Sequence, residues 1–483
     1  MPSKASIISS LIWKFMERMG IQGTQFVVSI VLARLLAPDD FGLIALVMAV
    51  IAIANVFVQS GLGTALIQKK DADETDFSSV FYASLLLATI VYALIFFTAP
   101  LIADFYDKPT LIPVIRVLTL TLFIGVFNSI QYAFVARQMM FKKLFFRSIG
   151  SMIPSSIIGI VMAFTGFGVW ALVAQQLSNT FLAVVIMWFV VPWRPQLKFS
   201  FERLNKLFSF GWKLLFSSVI DTVYSQIQSI VIGKMFSPAS LAFFDRGSHF
   251  PYIVVNNINN SIQAVMLPSL SAHQDDKPQV KKMVRRAIVT SSFLIIPMMA
   301  GLAAAAEPIV KILLGDKWLP SVPFVQIFCF IYAFYPIHTS NLSAINALGR
   351  SDIFLKLEII KKIFGISILV TSILYFRSPI GIAYGVAVNT IIASFINASP
   401  NKKLLHYSYL EQISDIAPSA ILACAMALVI ITVNQLQLNI YLTLVLQILT
   451  GALFYFGLAK LLHFESLEYL IKTIADFRRR HAK

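Results

Sequence analysis

The stretch SIVLARLLAP (29–38) recurs as SIVIGKMFSP (229–238). Each copy is an apolar run closed by a basic residue and then a proline. Each also follows a Trp-Lys pair, Trp13-Lys14 in the first and Trp212-Lys213 in the second, at a separation that differs by one residue. The match covers a whole apolar segment and the turn after it, which marks an internal repeat. Six apolar segments separate the two starts, so both copies run in the same direction. That is a parallel repeat, related by an axis along a membrane normal.

The rest of the chain fits a membrane frame. Of its 483 residues, 58% are hydrophobic and only 13% charged, with 41 phenylalanines, and the mean hydropathy is +0.79. Soluble domains carry about 25% charged residues. A crossing helix needs roughly 20 apolar residues. The pattern predicts spans over 8–34, 41–67, 78–103, 110–136, 145–165, 168–191, 207–235, 240–267, 287–312, 319–347, 353–375, 378–398, 414–434 and 438–462. The first, seventh and eighth are the most polar. The expected fold is an all-α polytopic membrane protein of about fourteen helices. It divides into a six-helix lobe (1–200), a second six-helix lobe (201–400), two further helices (401–462) and a tail (463–483). The tail reads as an amphipathic surface helix with a basic end that rests on anionic lipid.

Charge gives the orientation. Lys69, Lys70, Arg137, Lys142, Lys143, Arg147, Arg194, Lys198, Arg203, Lys206, the 277–286 cluster, Arg350, Lys402, Lys403 and Arg478–Arg480 fall on one side. Only Arg34, Lys108, Lys234, Lys311, Lys317 and Arg377 fall on the other. The positive-inside rule then places both termini in the cytoplasm. The net charge of +16 is therefore a topology signal, and no nucleic-acid partner is expected. External loops are too short for a catalytic domain.

A charge at the bilayer centre costs about 3 kcal/mol on insertion scales, so intramembrane polar groups should face an interior path. The first span carries Lys14, Arg18, Gln22 and Gln25 on one face, and its repeat carries Lys213, Ser217, Asp221, Ser225 and Gln228. The eighth carries Asp245, His249, Tyr252, Asn256, Asn259 and Gln263; Asn55 and Gln59 lie on the second. The fourth adds Arg116, Asn128 and Gln131, and the tenth adds Tyr335, His338 and Asn341. Such faces suit a hydrated cavity whose cations (Lys14, Arg18, Arg116, Lys213, Arg246) attract an anion and whose amides bind sugars. The candidate substrate contacts are Lys14, Arg18, Gln25, Gln59, Arg116, Asn128, Lys213, Asp221, Arg246, Asn259 and His338. Snorkelling to the interface is the competing role for Lys14 and Lys213, and plain packing is that of the histidines. Glu17 has Arg18 or Lys14 as expected partners.

Other motifs carry nothing. Asp71-x-Asp73 resembles a glycosyltransferase metal pair but lies in a short solvated loop. Gly61-x-Gly63 and Gly166-x-Gly168 lack a strand-turn-helix setting, and no Walker motif is present. Cys329 and Cys424 sit in apolar runs without metal or disulfide spacing. No catalytic residue, metal or cofactor is expected. The N-terminus does not read as a cleavable signal, since Lys14, Glu17 and Arg18 interrupt its first apolar stretch.

Several pieces in order resemble one family: LARLLAPDDFGLIALVMAV (32–50), GLGTALIQKK (61–70), ARQMMFKKL (136–144), GFGVWALVAQQL (166–177), WRPQLKFS (193–200), IVIGKMFSPASLAFFDRG (230–247) and NALGRSD (346–352). They look like the polysaccharide repeat-unit flippases (colanic acid and lipopolysaccharide type) of the multidrug/oligosaccharidyl-lipid/polysaccharide exporter superfamily. Leu241-Ala242-Phe243-Phe244 departs from the branch, which more often has a glycine and tyrosines after the leucine. The resemblance implies two six-helix lobes and an undecaprenyl-diphosphate-linked oligosaccharide, moved from the cytoplasmic to the outer leaflet of the bacterial inner membrane. It also implies polysaccharide polymerase machinery as a partner beside membrane lipids. Coupling to H+ or Na+ has Asp221, Asp245 and Glu307 as candidates. The alternative within the superfamily is a cation-coupled multidrug exporter, whose cavity should be acidic.

Overall fold

The computed structural model describes residues 4–481 other than Ser60, Lys70 and Met139; it describes side chains at 13 and from 16 to 472, those three and Phe210 excepted, and at 475. The chain is 88% helical, with no strand among the described residues. Among the described residues, eleven helices are long and apolar enough to cross a membrane. Three more, at 4–35, 201–235 and 238–271, have 32, 35 and 34 residues. These are the segments singled out in the sequence as most polar, and with them the architecture accommodates the expected fourteen crossings. The protein is a multi-pass helical membrane protein. By contacts it separates into two compact units, Met1–Ala242 and Phe243–Lys483.

The first unit holds α1 (Lys4–Leu35), α2 (Pro38–Gln59), α3 (Leu62–Gln68), α4 (Glu74–Phe105), α5 (Leu111–Leu118), α6 (Leu120–Arg137), α7 (Phe141–Phe164), α8 (Val169–Val190) and α9 (Phe201–Met235). Asp73 starts α4: its carboxylate accepts from the Thr75 and Asp76 amides while Asp76 reaches back to the Asp73 amide. This reciprocal cap satisfies donors that a helix start otherwise leaves open. Leu86, Ile90, Leu94, Phe97 and Leu101, spaced three and four apart on α4, are more than half exposed. In water such a stripe would be a liability; in hydrocarbon it is the outer face of a spanning helix. The inner face of α7 is small and polar instead. Ser148, Ser151, Ser155, Ser156 and Gly159 are buried along it, and a Cβ on Gly159 would come 2.8 Å from Gln175 on α8. Small residues let spanning helices approach closely where no hydrophobic effect drives them together.

The second predicted span, 41–67, is split. It stops at Gln59 and restarts as α3 after Gly61, whose φ of +67° is left-handed. A Cβ there would also lie 2.8 Å from the Gly211 carbonyl oxygen on α9, so conformation and close approach both demand glycine. The first helix of the second repeat, α9, packs on α2, α3 and α4. Gly233 makes this contact tight, since a Cβ there would meet Leu46 Cδ2 at 2.0 Å, and Gly42 allows an equally close approach just past the end of α9, where a Cβ would meet the Pro238 carbonyl oxygen at 1.8 Å. Ion pairs fasten both ends of α9, Arg203 to Asp73 and Asp76 and Lys234 to Asp107 at 2.8 Å.

The second unit contains most of α10 (Pro238–Ser271), then α11 (Lys277–Ala304), α12 (Ala306–Leu313), α13 (Val322–Ala333), α14 (Tyr335–Ala347), α15 (Ser351–Phe376), α16 (Pro379–Leu404), α17 (Tyr409–Val433), α18 (Ile440–Leu461) and α19 (Glu465–His481). The predicted span 319–347 breaks at Phe334, and α14 starts with a proline in its first turn, where the missing N–H is tolerated. Likewise 287–312 divides at Ala305 into α11 and α12. Apolar clusters hold α11 against α14 and α17 around Ile288, Ile337 and Ile416. A second cluster joins α11, α17 and α18 around Phe293, Met426 and Tyr455. The tail is helical, as α19, and its basic end, Arg478–Arg480, lies outside the described side chains.

Candidate functional site

In the first unit the helix ends and the glycine-broken segment leave a polar cavity of about 520 Å3. Asn55 and Gln59 reach it from the last turns of α2 and Thr64 from α3. Asn128, Ser129 and Tyr132 line it from α6, and Gln176 and Thr180 from α8. No carboxylate or cation is among its described lining residues. Amides and hydroxyls both donate and accept, so this wall can match groups that do the same, above all sugar hydroxyls.

One cation reaches the wall indirectly. Arg147 Nη1 donates to Asn128 Oδ1 at 3.2 Å, and Nη2 donates to Ser148 Oγ at 3.0 Å. Ser148 in turn donates to Glu17 Oε1 at 3.2 Å, and Arg147 Nη2 lies 4.0 Å from the same oxygen. Glu17 is buried. Arg147 is thus a further partner for Glu17 beyond those expected in sequence, and it orients a cavity amide. It had been counted with the loop cations; α7 begins at Phe141, which carries Arg147 into the second turn.

The predicted residues fall into separate places. Gln59 and Asn128 come together in the cavity. Arg116 is on α5, where Nε donates to the Phe96 carbonyl at 3.2 Å and the guanidinium carbon is 4.2 Å from the centre of the Phe96 ring. Arg18 and Gln25 are exposed on α1, as are Lys213 and Asp221 on α9. The Lys14 side chain lies outside the described residues. In the second unit, Arg246 sits 5.8 Å from the Trp318 ring centre. Asn259 is buried in α10. His338 Nδ1 is 2.9 Å from Asn397 Nδ2. Sequence reasoning missed Thr64, Ser129, Tyr132, Gln176 and Thr180. Their signal, isolated hydroxyls and amides in apolar helices, is weak because such groups commonly bond their own backbone, as Thr180 does to Gln176.

Asp73 is a helix cap bonded to Arg203, in keeping with a structural loop, and no group of metal-ligating residues occurs among the described residues.

Long crossing helices, a parallel repeat and a polar intramembrane cavity define a transporter class, and the fold has known counterparts. It superposes over 94% of this chain on 99% of the lipid II flippase MurJ in an inward closed conformation, with TM-score 0.74 at 18% identity. Over 85% of this chain it matches 98% of an inward-facing multidrug resistance MATE family transporter of the MOP superfamily, with TM-score 0.59 at 14% identity. More particularly, the chain belongs to the polysaccharide biosynthesis protein family, whose profile matches residues 31–323. It is 25% identical over 314 residues to the succinoglycan biosynthesis transport protein ExoT of Rhizobium meliloti, 64% of this chain and 63% of that protein. It is 23% identical over 411 residues to the lipopolysaccharide biosynthesis protein WzxC of Escherichia coli, 83% of this chain and 82% of that one. The teichuronic acid biosynthesis protein TuaB of Bacillus subtilis is 23% identical over 361 residues, 73% and 74%. The chain therefore spans just under two thirds of the first of these relatives and more of the other two.

Proposed function

We propose that the protein is a flippase, not an enzyme, that moves undecaprenyl-diphosphate-linked oligosaccharides from the cytoplasmic to the periplasmic leaflet of a bacterial inner membrane, both termini facing the cytoplasm. The export it serves is exopolysaccharide or lipopolysaccharide biosynthesis. The observation that carries this reading is the 520 Å3 cavity walled by amides and hydroxyls, in a chain whose relatives are named for polysaccharide transport and biosynthesis. The sugars enter that cavity and hydrogen-bond Gln59 and Asn128. The diphosphate is drawn by Lys14, Arg18, Lys213 and Arg246. The polyprenyl chain, too apolar to follow, stays in lipid. Gln25, Asp221, Asn259 and His338 complete the path. Rocking of the two repeats, 1–200 and 201–400, exchanges access, and a proton or sodium gradient acting on Asp221, Asp245 or Glu307 drives it. Polymerase machinery receives the product.

A drug exporter for cations would need acidic groups in the cavity. No carboxylate is among its described lining residues, and Glu17, one bonded step behind the wall, is engaged with Ser148 and Arg147, so the oligosaccharide reading is preferred. Complementation of a strain lacking its repeat-unit flippase tests it. Wild-type protein restores polymer and clears accumulated lipid-linked sugars. Gln59→Ala/Asn128→Ala lowers export with protein abundance unchanged. Export at wild-type rate by that double variant removes the cavity from the mechanism.

A further inference from the structure

In the second unit an ionic pocket and an apolar trough share three residues. The pocket, about 60 Å3, lies between the start of α11 and α19, among Lys282, Arg285, Arg286, Glu465, Ser466 and Tyr469, three cations against one carboxylate. The trough, about 760 Å3, runs along α10 and α11 over Ile258, Ile262, Val265, Met266 and Leu294. Arg286, Thr290 and Tyr469 line both. A small cationic chamber opening into a long hydrocarbon-lined trough has the chemistry of an amphiphile, an anion joined to an apolar chain.

The charges decide its sign. Arg285 is committed: it grips Asp415 at 2.9–3.1 Å through Nε and Nη2 and reaches Glu465 at 3.7 Å, fastening α11 to α17 and α19. Lys282 and Arg286 are different. Neither has an ion-pair partner among the described residues. The Arg286 guanidinium carbon lies 4.5 Å from the Tyr469 ring centre, a contact that positions a cation without neutralising it. Two positive charges without an ion-pair partner among the described residues thus flank the chamber, where Glu465 pairs with Arg285, with the Ser466 and Thr290 hydroxyls beside them. By the charge asymmetry of the loops this is the cytoplasmic end of α11.

We propose that this corner binds an anionic glycerophospholipid. Its phosphate sits between Lys282 and Arg286, and one acyl chain lies in the α10–α11 trough. The chamber suits a single phosphate and is too small for a diphosphate bearing sugars, which separates it from the carrier-lipid substrate. The site is independent of the proposed transport reaction. The bound lipid closes α19 onto α10 and α11, so the tail helix is held by lipid as well as by Glu465.

Native mass spectrometry of the full-length protein tests this, with titrations of palmitoyl-oleoyl phosphatidylglycerol, phosphatidylcholine of the same chains, undecaprenyl phosphate and inorganic phosphate. Phosphatidylglycerol is retained in preference to phosphatidylcholine. Lys282→Ala/Arg286→Ala lowers its affinity about 30-fold, the worth of two interfacial cations. Thr290→Phe fills the junction of chamber and trough, leaves every charge in place and also weakens binding. Lys472→Ala, on the same helix outside the pocket, leaves it unchanged. Thermal melts confirm folding, and Lys282→Gln/Arg286→Gln replaces the alanine pair if that pair does not fold. Equal retention of the two phospholipids, or wild-type binding by the charge variants, overturns the proposal. Displacement by an equal concentration of undecaprenyl phosphate assigns the site to carrier lipid, and displacement by inorganic phosphate shows an anion site without a chain; either also overturns it.

Discussion

Glu17→Gln tests whether a buried charge relay supports the cavity wall. The carboxylate on α1 and Arg147 on α7 are 4.0 Å apart, with side chains 5% and 17% exposed, and Ser148 bridges them. Two unit charges at 4 Å attract by about 4 kcal/mol at an effective dielectric of 20. Partial exposure of the arginine and the bridged geometry reduce this to a coupling of about 2 kcal/mol. Removing one partner strands the other, so Glu17→Gln and Arg147→Met should each destabilise by about 3 kcal/mol. The double variant should lose about 2 kcal/mol less than the sum of the two. For a unit of this size, 3 kcal/mol lowers Tm by roughly 6–12 °C, which intrinsic fluorescence of the purified protein resolves. Arg147→Met also frees Asn128 Oδ1, so export should fall further in that variant than in Glu17→Gln at equal abundance. Strict additivity of the two Tm shifts would falsify the relay, as would equal export by the two singles.

Three further outcomes are expected. Gly42→Ala should lose about 1–3 kcal/mol, because its Cβ would strike the Pro238 backbone at 1.8 Å. Gly233→Ala should lose less, because the atom it meets at 2.0 Å is the tip of Leu46; thermal melts that rank them the other way refute the close approach of α2 to the chain at 233–238. Gln131 is fully buried on α6 with neither amide atom bonded within the protein. Gln131→Leu should therefore gain about 1–2 kcal/mol and raise Tm; a lowered Tm would show that the amide is satisfied in the folded protein. Asp73 is held below the ordinary carboxylate range chiefly by its hydrogen bond from Arg203. A depressed native value means that its contribution is fully present above the unfolded value of about 3.9 and disappears as pH falls through the native one. Wild-type Tm should thus drop below about pH 4 more steeply than that of Asp73→Asn, and parallel curves would show that the α4–α9 tie is thermally silent.

The helical, membrane-crossing kind of segment was legible because the hydrocarbon thickness enforces a length that composition reveals. Even the polar exceptions at α1, α9 and α10 stood out. The breaks were less visible. Gly61 interrupts an apolar run that hydropathy reads as continuous to 67, since an averaged window registers neither a left-handed φ nor the carbonyl of Gly211 pressing on it. Similarly, Pro336 marks a start only once the chain has stopped at Phe334. Half-legible was the cavity: Gln59 and Asn128 lie on polar stripes, whereas Gln176 and Thr180 make only a two-residue stripe on α8 and Thr64 stands alone on α3, and they meet the others only once the helices pack.

Arg116 shows why a spacing argument cannot assign a charge to a lumen. Its place on the α5 face is correct, yet a guanidinium on a long stem reaches several partners from one Cα. Here it turns to the Phe96 carbonyl and ring, which orders it without a counter-ion. Arg147, left among the loop cations, is the arginine that bonds a cavity residue. In a bilayer a cation is placed by which acceptor it can reach before paying for dehydration, and acceptors such as a free carbonyl on α4 or Asn128 on α6 exist only in the folded bundle. Arg116→Ala is accordingly expected to loosen the α4–α5 contact, while Arg116→Lys, which keeps the charge but not the planar stacking, should behave like alanine in thermal melts. A lysine variant with wild-type Tm would show that charge alone, and not the guanidinium's fit to Phe96, holds that helix pair.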